Sequence, residues 1–191
     1  DAIVIDSMVA GTGASAEVLL DHSGIPTVPA IVLAREALRE LGLQGKVSLI
    51  ASGGITSGAD AAKALALGAD AVAIGIAALI ALNCNKDIPE ADYEKEVGVP
   101  AGYCYHCHTG KCPVGITTQD PELVKRLDPD EAAERVANFI NSMTMEMALL
   151  TRSLGKGDVH SLEPEDLAAL TIEASAMARV PLVGTDKVFG H

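Results

Sequence analysis

Tryptophan is absent from the 191-residue chain, and aromatic residues make up only 3% of it. Base-stacking platforms and aromatic sugar sites therefore have little to be built from. The sequence also lacks any basic stretch. Its 14 Lys and Arg stand against 26 Asp and Glu, a formal net charge of −12. Such a chain grips a phosphate backbone poorly, so no nucleic-acid partner is expected. A membrane span needs ~20 apolar residues. The longest apolar run, Ala71 to Leu82, has twelve including Gly75, so no membrane association is expected. No charged-then-apolar leader opens the chain, which points to a cytoplasmic protein. A Walker-type phosphate loop and a Ser/His/Asp set with motif context are both missing.

What is there has the balance of a folded protein, 49% hydrophobic and 21% charged. The chain starts at Asp1 rather than Met, directly in strand-like residues, and reads as a fragment, a processed product or the ordered part of something longer. Three strand–helix units occupy the first half. Asp1 to Asp6 is a β-branched strand, followed by the glycine-rich turn Ala10-Gly11-Thr12-Gly13-Ala14 and a helix from Ser15 to His22. Pro26 and Pro29 break the chain, and Ala30 to Leu41 has helical spacing of its apolar residues. Val47 to Ala51 is the next strand, and Ser57 or Asp60 caps a helix through Ala59 to Leu67. Asp70 to Ile74 is a third strand, with a helix over Ala77 to Leu82. Strands rich in Ala, Val and Ile alternating with short helices predict parallel β/α architecture.

The second half differs. Asn83 to Ala101 is acidic and poor in periodicity, and reads as a surface loop or insertion, with 87–96 solvated. Three of the four cysteines crowd into residues 104–112. From Pro121 the pattern is helical, with a long helix from Asp130 to Leu150 and a last one from Leu167 to Met177. Asp128-Pro129 and Glu163-Pro164 look like helix starts. The expected organisation is a barrel part over 1–83, an insertion and cysteine-rich loop over 84–120, and a helical extension over 121–191.

Two strands end in glycine, at Ser52-Gly53-Gly54-Ile55 and at Gly75-Ile76. Glycine lets the backbone approach an anion, and a following helix N-terminus adds a favourable dipole. The last two strands of β/α barrels often build one phosphate site this way, although such glycines also make ordinary tight turns. Gly11-Thr12-Gly13 is a weaker candidate of the same kind. In Cys104-Tyr-His-Cys107-His-Thr-Gly-Lys-Cys112-Pro-Val-Gly115, soft thiolates two and four residues apart suit an Fe–S cluster, with Cys84 as a further ligand. Structural zinc with His106 or His108 is the rival, and unliganded buried cysteines the plain alternative. His22 and His160 read as cap or surface residues, and Met143, Met145 and Met147 as core packing.

In this order, the pieces resemble the FMN-binding synthase domain of glutamate synthase, especially its short archaeal-type form. Val4-Ile-Asp6 with Gly11-Thr12-Gly13-Ala14 is similar to that family's strand and GGTGA loop. Ser52-Gly53-Gly54-Ile55 with Gly58-Ala-Asp60 is similar to its phosphate loop, and Leu67-Gly68-Ala69-Asp70 and Ala77 to Cys84 to its final barrel strand and cluster lead-in. Cys107-His-Thr-Gly-Lys-Cys112-Pro-Val-Gly-Ile116 with Thr118-Gln119 resembles its CHxxxCPxGIxTQ signature, the most specific of the set.

The resemblance implies an α/β chain covering about the last three strands of a parallel (β/α)8 TIM barrel, plus an Fe–S loop and a C-terminal helical extension. It implies FMN held by Ser52, Gly53, Gly54, Gly75 and Ile76, with Gly11, Thr12 and Gly13 near the flavin or substrate. It implies an iron-sulfur cluster, with Cys84, Cys107 and Cys112 as the three family cluster cysteines and Cys104 an additional thiol, so that a 3Fe–4S centre on three cysteines and a 4Fe–4S centre on all four both stay open. The activity would be glutamate synthase-type: electrons pass through the cluster to FMN, and an imine of 2-oxoglutarate is reduced to glutamate. Expected partners are a glutaminase or amine-donor subunit, an electron donor (ferredoxin or an NAD(P)H-oxidising subunit) and, if the chain is complete, another polypeptide or a second copy that closes the barrel, or a hetero-oligomer. Three departures stand out. Twenty-two residues lie between Cys84 and Cys107, where the long family form has cysteines five residues apart. Ser52 stands where Asp is often found, and Ile76 where Thr is common. These suit a divergent relative such as an N-methylglutamate synthase subunit, or a non-catalytic electron-transfer or scaffold subunit.

Overall fold

A computed structural model describes residues 1–12, 15–84, 88, 90–100 and 104–190. The chain forms two compact units: Asp1–Ala10, Glu17–Ile74 and Met143–His191 make one, and Gly11–Ala16 and Gly75–Ser142 the other.

The first unit is α/β. Strands β1 (Ala2–Asp6), β2 (Ser48–Ser52) and β3 (Ala71–Ala73) form a parallel sheet in the order β1-β2-β3, with Ala2 opposite Ser48 and Ile50 opposite Ala71. Helices α1 (Glu17–His22) and α2 (Thr27–Glu40) connect β1 to β2, and α3 (Gly58–Ala66) connects β2 to β3. Parallel neighbours joined through helices are compatible with part of a β/α barrel. Pro29 does not break the chain as the sequence suggests. It is the third residue of α2, where a missing N–H costs no helical hydrogen bond. Ala30, Ile31, Val32 and Leu38 of α2, Leu49 and Ala51 of β2, and Ala61, Ala62, Ala64, Leu65 and Ala66 of α3 form its core. Small alanines on α3 let helix and sheet approach closely. The Arg35 guanidinium donates to the Leu67 carbonyl at 2.9 Å, where α3 ends before Gly68.

Residues 143–153 of α7 (Pro129–Ser153) and α8 (Ile172–Ala178) complete this unit. Met147 packs with Ala62, Ala66 and Leu162, and Arg179 pairs with Glu36. Met143 is buried, but Met145 lies open to solvent. The last helix is shorter than its sequence pattern. Residues 167–171 are not helical because Ala169 donates to Pro181 and accepts from Val183, both at 2.8 Å.

The second unit carries α4 (Ile76–Ala81), α5 (Glu90–Val97), a 3-10 turn at His106–His108, α6 (Pro121–Val124) and the first part of α7. The expectation of a solvated loop over 87–96 is corrected. Asp92, Glu94 and Glu96 are exposed, but Tyr93 at 1% exposure and Val97 point into a core with Ile88, Cys112 and Val114. Tyr93 and Val97 are one helical turn apart, so a mostly acidic helix still has an inward edge.

Candidate functional site

In the first unit, β2 ends in a loop built from consecutive left-handed glycines, Gly53 at φ +116 and Gly54 at φ +68. Ser7, at the end of β1, donates its N–H to the Ser52 carbonyl at 3.1 Å. Its Oγ lies 2.8 Å from the same carbonyl and 2.6 Å from Thr27 Oγ1. Thr27, the first residue of α2, donates to the Gly53 carbonyl at 2.9 Å. A Cβ on Gly53 would lie 2.1 Å from Ser7 Oγ, whereas one on Gly54 would meet only Val9 Cγ2, at 3.1 Å.

The start of α3 is already satisfied by carboxylates. Asp60 Oδ2 accepts from Thr56 N at 3.2 Å and Ser57 N at 3.1 Å, and Glu146 Oε2 of α7 accepts from Gly58 N at 2.7 Å. Burial pushes the Asp60 carboxyl up, but hydrogen bonds from Ser57 and Thr56 and the charge of Lys63 more than offset this and hold it below its ordinary value.

In the second unit the four cysteines come within electrostatic reach of one another. Burial first, and then the like charges of Cys107, Cys112 and Cys104, push the Cys84 thiol up to about 11. Burial also raises Cys112, yet it is held below its ordinary value. The N–H groups of Thr117, Val114 and Ile116 stabilise its thiolate. Gly115 lies within this turn at φ +81, and a Cβ there would lie 2.5 Å from the Leu123 carbonyl. Burial, then a hydrogen bond with Cys104 and the other nearby thiols, pushes the Tyr93 phenol up. Soft thiolates beside the apolar wall of Tyr93, Val97 and Val114 are the ligand type that could hold a cationic iron-sulfide core. Among the described residues, no group of three or more His, Cys, Asp or Glu is placed to hold a metal ion. The His106 ring is engaged by protein, with Nε2 3.1 Å from the Val97 carbonyl and Nδ1 3.3 Å from Thr109 Oγ1, and His108 is exposed.

Ser52, Gly53 and Gly54 thus belong to the first unit, and Gly11, Thr12, Gly75, Ile76 and the cysteines to the second. Gly13 lies outside the described residues. Gly11 is half-buried, and the Thr12 carbonyl accepts from Ser15 N at 2.9 Å. Gly75 caps α4 with an ordinary negative φ, and Ile76 is exposed. Sequence reasoning missed Ser7, Thr27, Tyr93, Thr117 and Glu146. Thr117 sits at an unspecified position inside the Cys107–Gln119 signature, and Ser7, Thr27, Tyr93 and Glu146 carry no local signal of these contacts, which only the folded arrangement makes. No helix among the described residues is long and apolar enough to cross a membrane.

A family model described as the conserved region in glutamate synthase matches residues 1–89 and 94–157. The chain is 55% identical over 185 residues to a glutamate synthase large subunit-like protein of Rhizobium meliloti, covering 97% of this chain and 42% of that protein. It is 48% identical over 162 residues to an archaeal glutamate synthase (NADPH) of Methanocaldococcus jannaschii, covering 85% of this chain and 28% of that protein. It is 32% identical over 155 residues to a glutamate synthase large subunit-like protein of Bacillus subtilis, covering 81% of this chain and 26% of that protein. The chain thus spans less than half the length of each of these relatives.

Proposed function

The chain belongs to the glutamate synthase family, and from that premise we propose that it forms part of an FMN- and Fe–S-dependent oxidoreductase acting on CH–NH2 donors. The reaction is reductive amination of 2-oxoglutarate to glutamate through an imine. What supports the redox reading is the Cys104, Cys107 and Cys112 motif, with Cys84 within electrostatic reach of all three thiols. Bound FMN would supply hydride transfer, and a bound cluster one-electron transfer.

The chain's own residues do the holding. Cys84, Cys104, Cys107 and Cys112 supply thiolates, while Thr117, Val114 and Ile116 stabilise the charge on Cys112. Tyr93, Val97, Val114 and Ile88 keep that corner apolar. By family resemblance, Gly53 and Gly54 offer amides to the flavin phosphate. Gly11 and Thr12 approach flavin or substrate on the same grounds. The NADPH in the archaeal relatives' names supports an NAD(P)H-oxidising electron donor, with ferredoxin as the other class. The name "large subunit-like" supports further subunits, among them an amine donor. The Ser52 and Ile76 departures favour a second reading, an electron-transfer or scaffold subunit that keeps the cluster without flavin.

The test is an anaerobic absorption spectrum of the purified chain, with iron, sulfide, zinc and flavin quantified on the same sample. Flavin together with iron and sulfide in comparable amounts is expected. Iron and sulfide without flavin would favour the second reading. Zinc with neither would sink both.

A further inference from the structure

We infer that Ser7 and Thr27 are positioning residues that aim the Gly53 and Gly54 amides at the phosphate monoester of the flavin. The inference rests on the reading of Gly53-Gly54 as the phosphate loop. It also goes beyond it, because neither hydroxyl belongs to that loop or to its motif.

The argument starts from peptide planarity. In a trans peptide the C=O and the following N–H point in opposite directions. The Ser52 carbonyl is drawn toward Ser7, by its N–H at 3.1 Å and its Oγ at 2.8 Å. The Gly53 N–H therefore points away from Ser7. The Gly53 carbonyl is drawn toward Thr27 Oγ1 at 2.9 Å, so the Gly54 N–H points away from Thr27. The two hydroxyls lie 2.6 Å apart. Each has one proton. Thr27 therefore gives its proton to Gly53 O, and Ser7 gives its proton to Thr27 Oγ1 or Ser52 O. The pair ties the ends of β1 and β2 and the first residue of α2 to two consecutive peptide planes.

Two further observations favour this loop over the start of α3. The left-handed turn at Gly53 leaves 2.1 Å between a built Cβ and Ser7 Oγ, so the hydroxyl occupies the space a side chain would need. At the start of α3, the Thr56, Ser57 and Gly58 amides are taken by the Asp60 and Glu146 carboxylates. Two carboxylates there repel a phosphate dianion, so the dipole of α3 is not what holds it. Amides aimed in advance bind an anion without a reorganisation cost.

The experiment compares FMN with riboflavin, which differ only in the phosphate, by titrating flavin fluorescence with the full chain. Thr27→Val removes the hydroxyl at nearly constant shape, Thr27→Ser keeps it, and Ser7→Ala removes the second hydroxyl. Thr27→Val and Ser7→Ala are expected to weaken FMN binding about 5- to 20-fold and to change riboflavin binding less than about two-fold, with Thr27→Ser close to wild type. Equal weakening of both flavins would mean a merely structural role and overturn the inference. So would an FMN preference that survives in both hydroxyl-deleted variants. A wild-type chain that binds FMN no better than riboflavin would instead overturn the phosphate-loop reading and the inference with it.

Discussion

Gly53 and Gly54 are neighbours with positive φ, yet they answer substitution differently. At Gly53 an alanine Cβ would meet Ser7 Oγ at 2.1 Å and the Ala10 N–H at 3.1 Å. The Ser7 hydroxyl would have to leave its place and the Ala10 backbone give by a few tenths of an ångström. Gly53→Ala is expected to cost about 3 kcal/mol or more, combining left-handed strain with a clash. Gly54→Ala meets only a valine methyl and keeps the loop, at about 1–2 kcal/mol of left-handed strain. Urea unfolding of both variants checks the ranking, and equal costs would contradict it. Flavin loss in Gly53→Ala therefore says little about phosphate binding, whereas flavin loss in Gly54→Ala with a near-native midpoint is informative. The motif marked both glycines. It did not tell them apart, because the difference lies in Ser7, 46 positions away in sequence.

Helix α3 was readable because its signals are local. Ser57 and Asp60 form a reciprocal capping box, the side chain of each bonding the other's backbone N–H. Asp60 sits below its ordinary value, so the ionised form is favoured in the folded state. That stability is present above the unfolded carboxylate pKa of about 3.9 and is lost as pH falls through the lower folded value. Asp60→Asn is expected to lower stability by about 1 kcal/mol at neutral pH. Below about pH 4 the gap to wild type should close. Urea midpoints between neutral and acid pH test this, and a gap that persists unchanged in acid would refute it. Helix α5 shows the opposite case. Only Tyr93 and Val97 among its described side chains turn inward, too few to stand out as a period against Asp92, Glu94 and Glu96. Helix α2 was read late by three residues, because Pro29 looks like a breaker until its place in the first turn is known.

At the scale of the molecule, the sheet is unequally covered. Leu49 and Ala51 of β2 are 1% exposed, whereas Ile3 and Val4, successive residues of β1 on opposite faces, are 47% and 57% exposed. Parallel strands are ordinarily covered on both faces. In the isolated chain, Val4→Thr is expected to change stability by less than about 1 kcal/mol, while Leu49→Ala costs about 2–4. Thermal melts of the two variants decide it, and a large loss at Val4 would mean that β1 is covered in solution. What the sequence by itself determined is the order of strands and helices, the glycine-ended β2, the capped α3 and the spacing of Cys104, Cys107 and Cys112. Each of these is local, written in residues a few positions apart that share a turn, a cap or a motif. Only the tertiary structure decided that Tyr93 is core rather than surface, that Glu146 closes the start of α3, and that Ser7 and Thr27 pin the Gly53 loop. Those are contacts between distant segments, and their partners are chosen by packing and hydrogen-bond geometry, which no local pattern encodes.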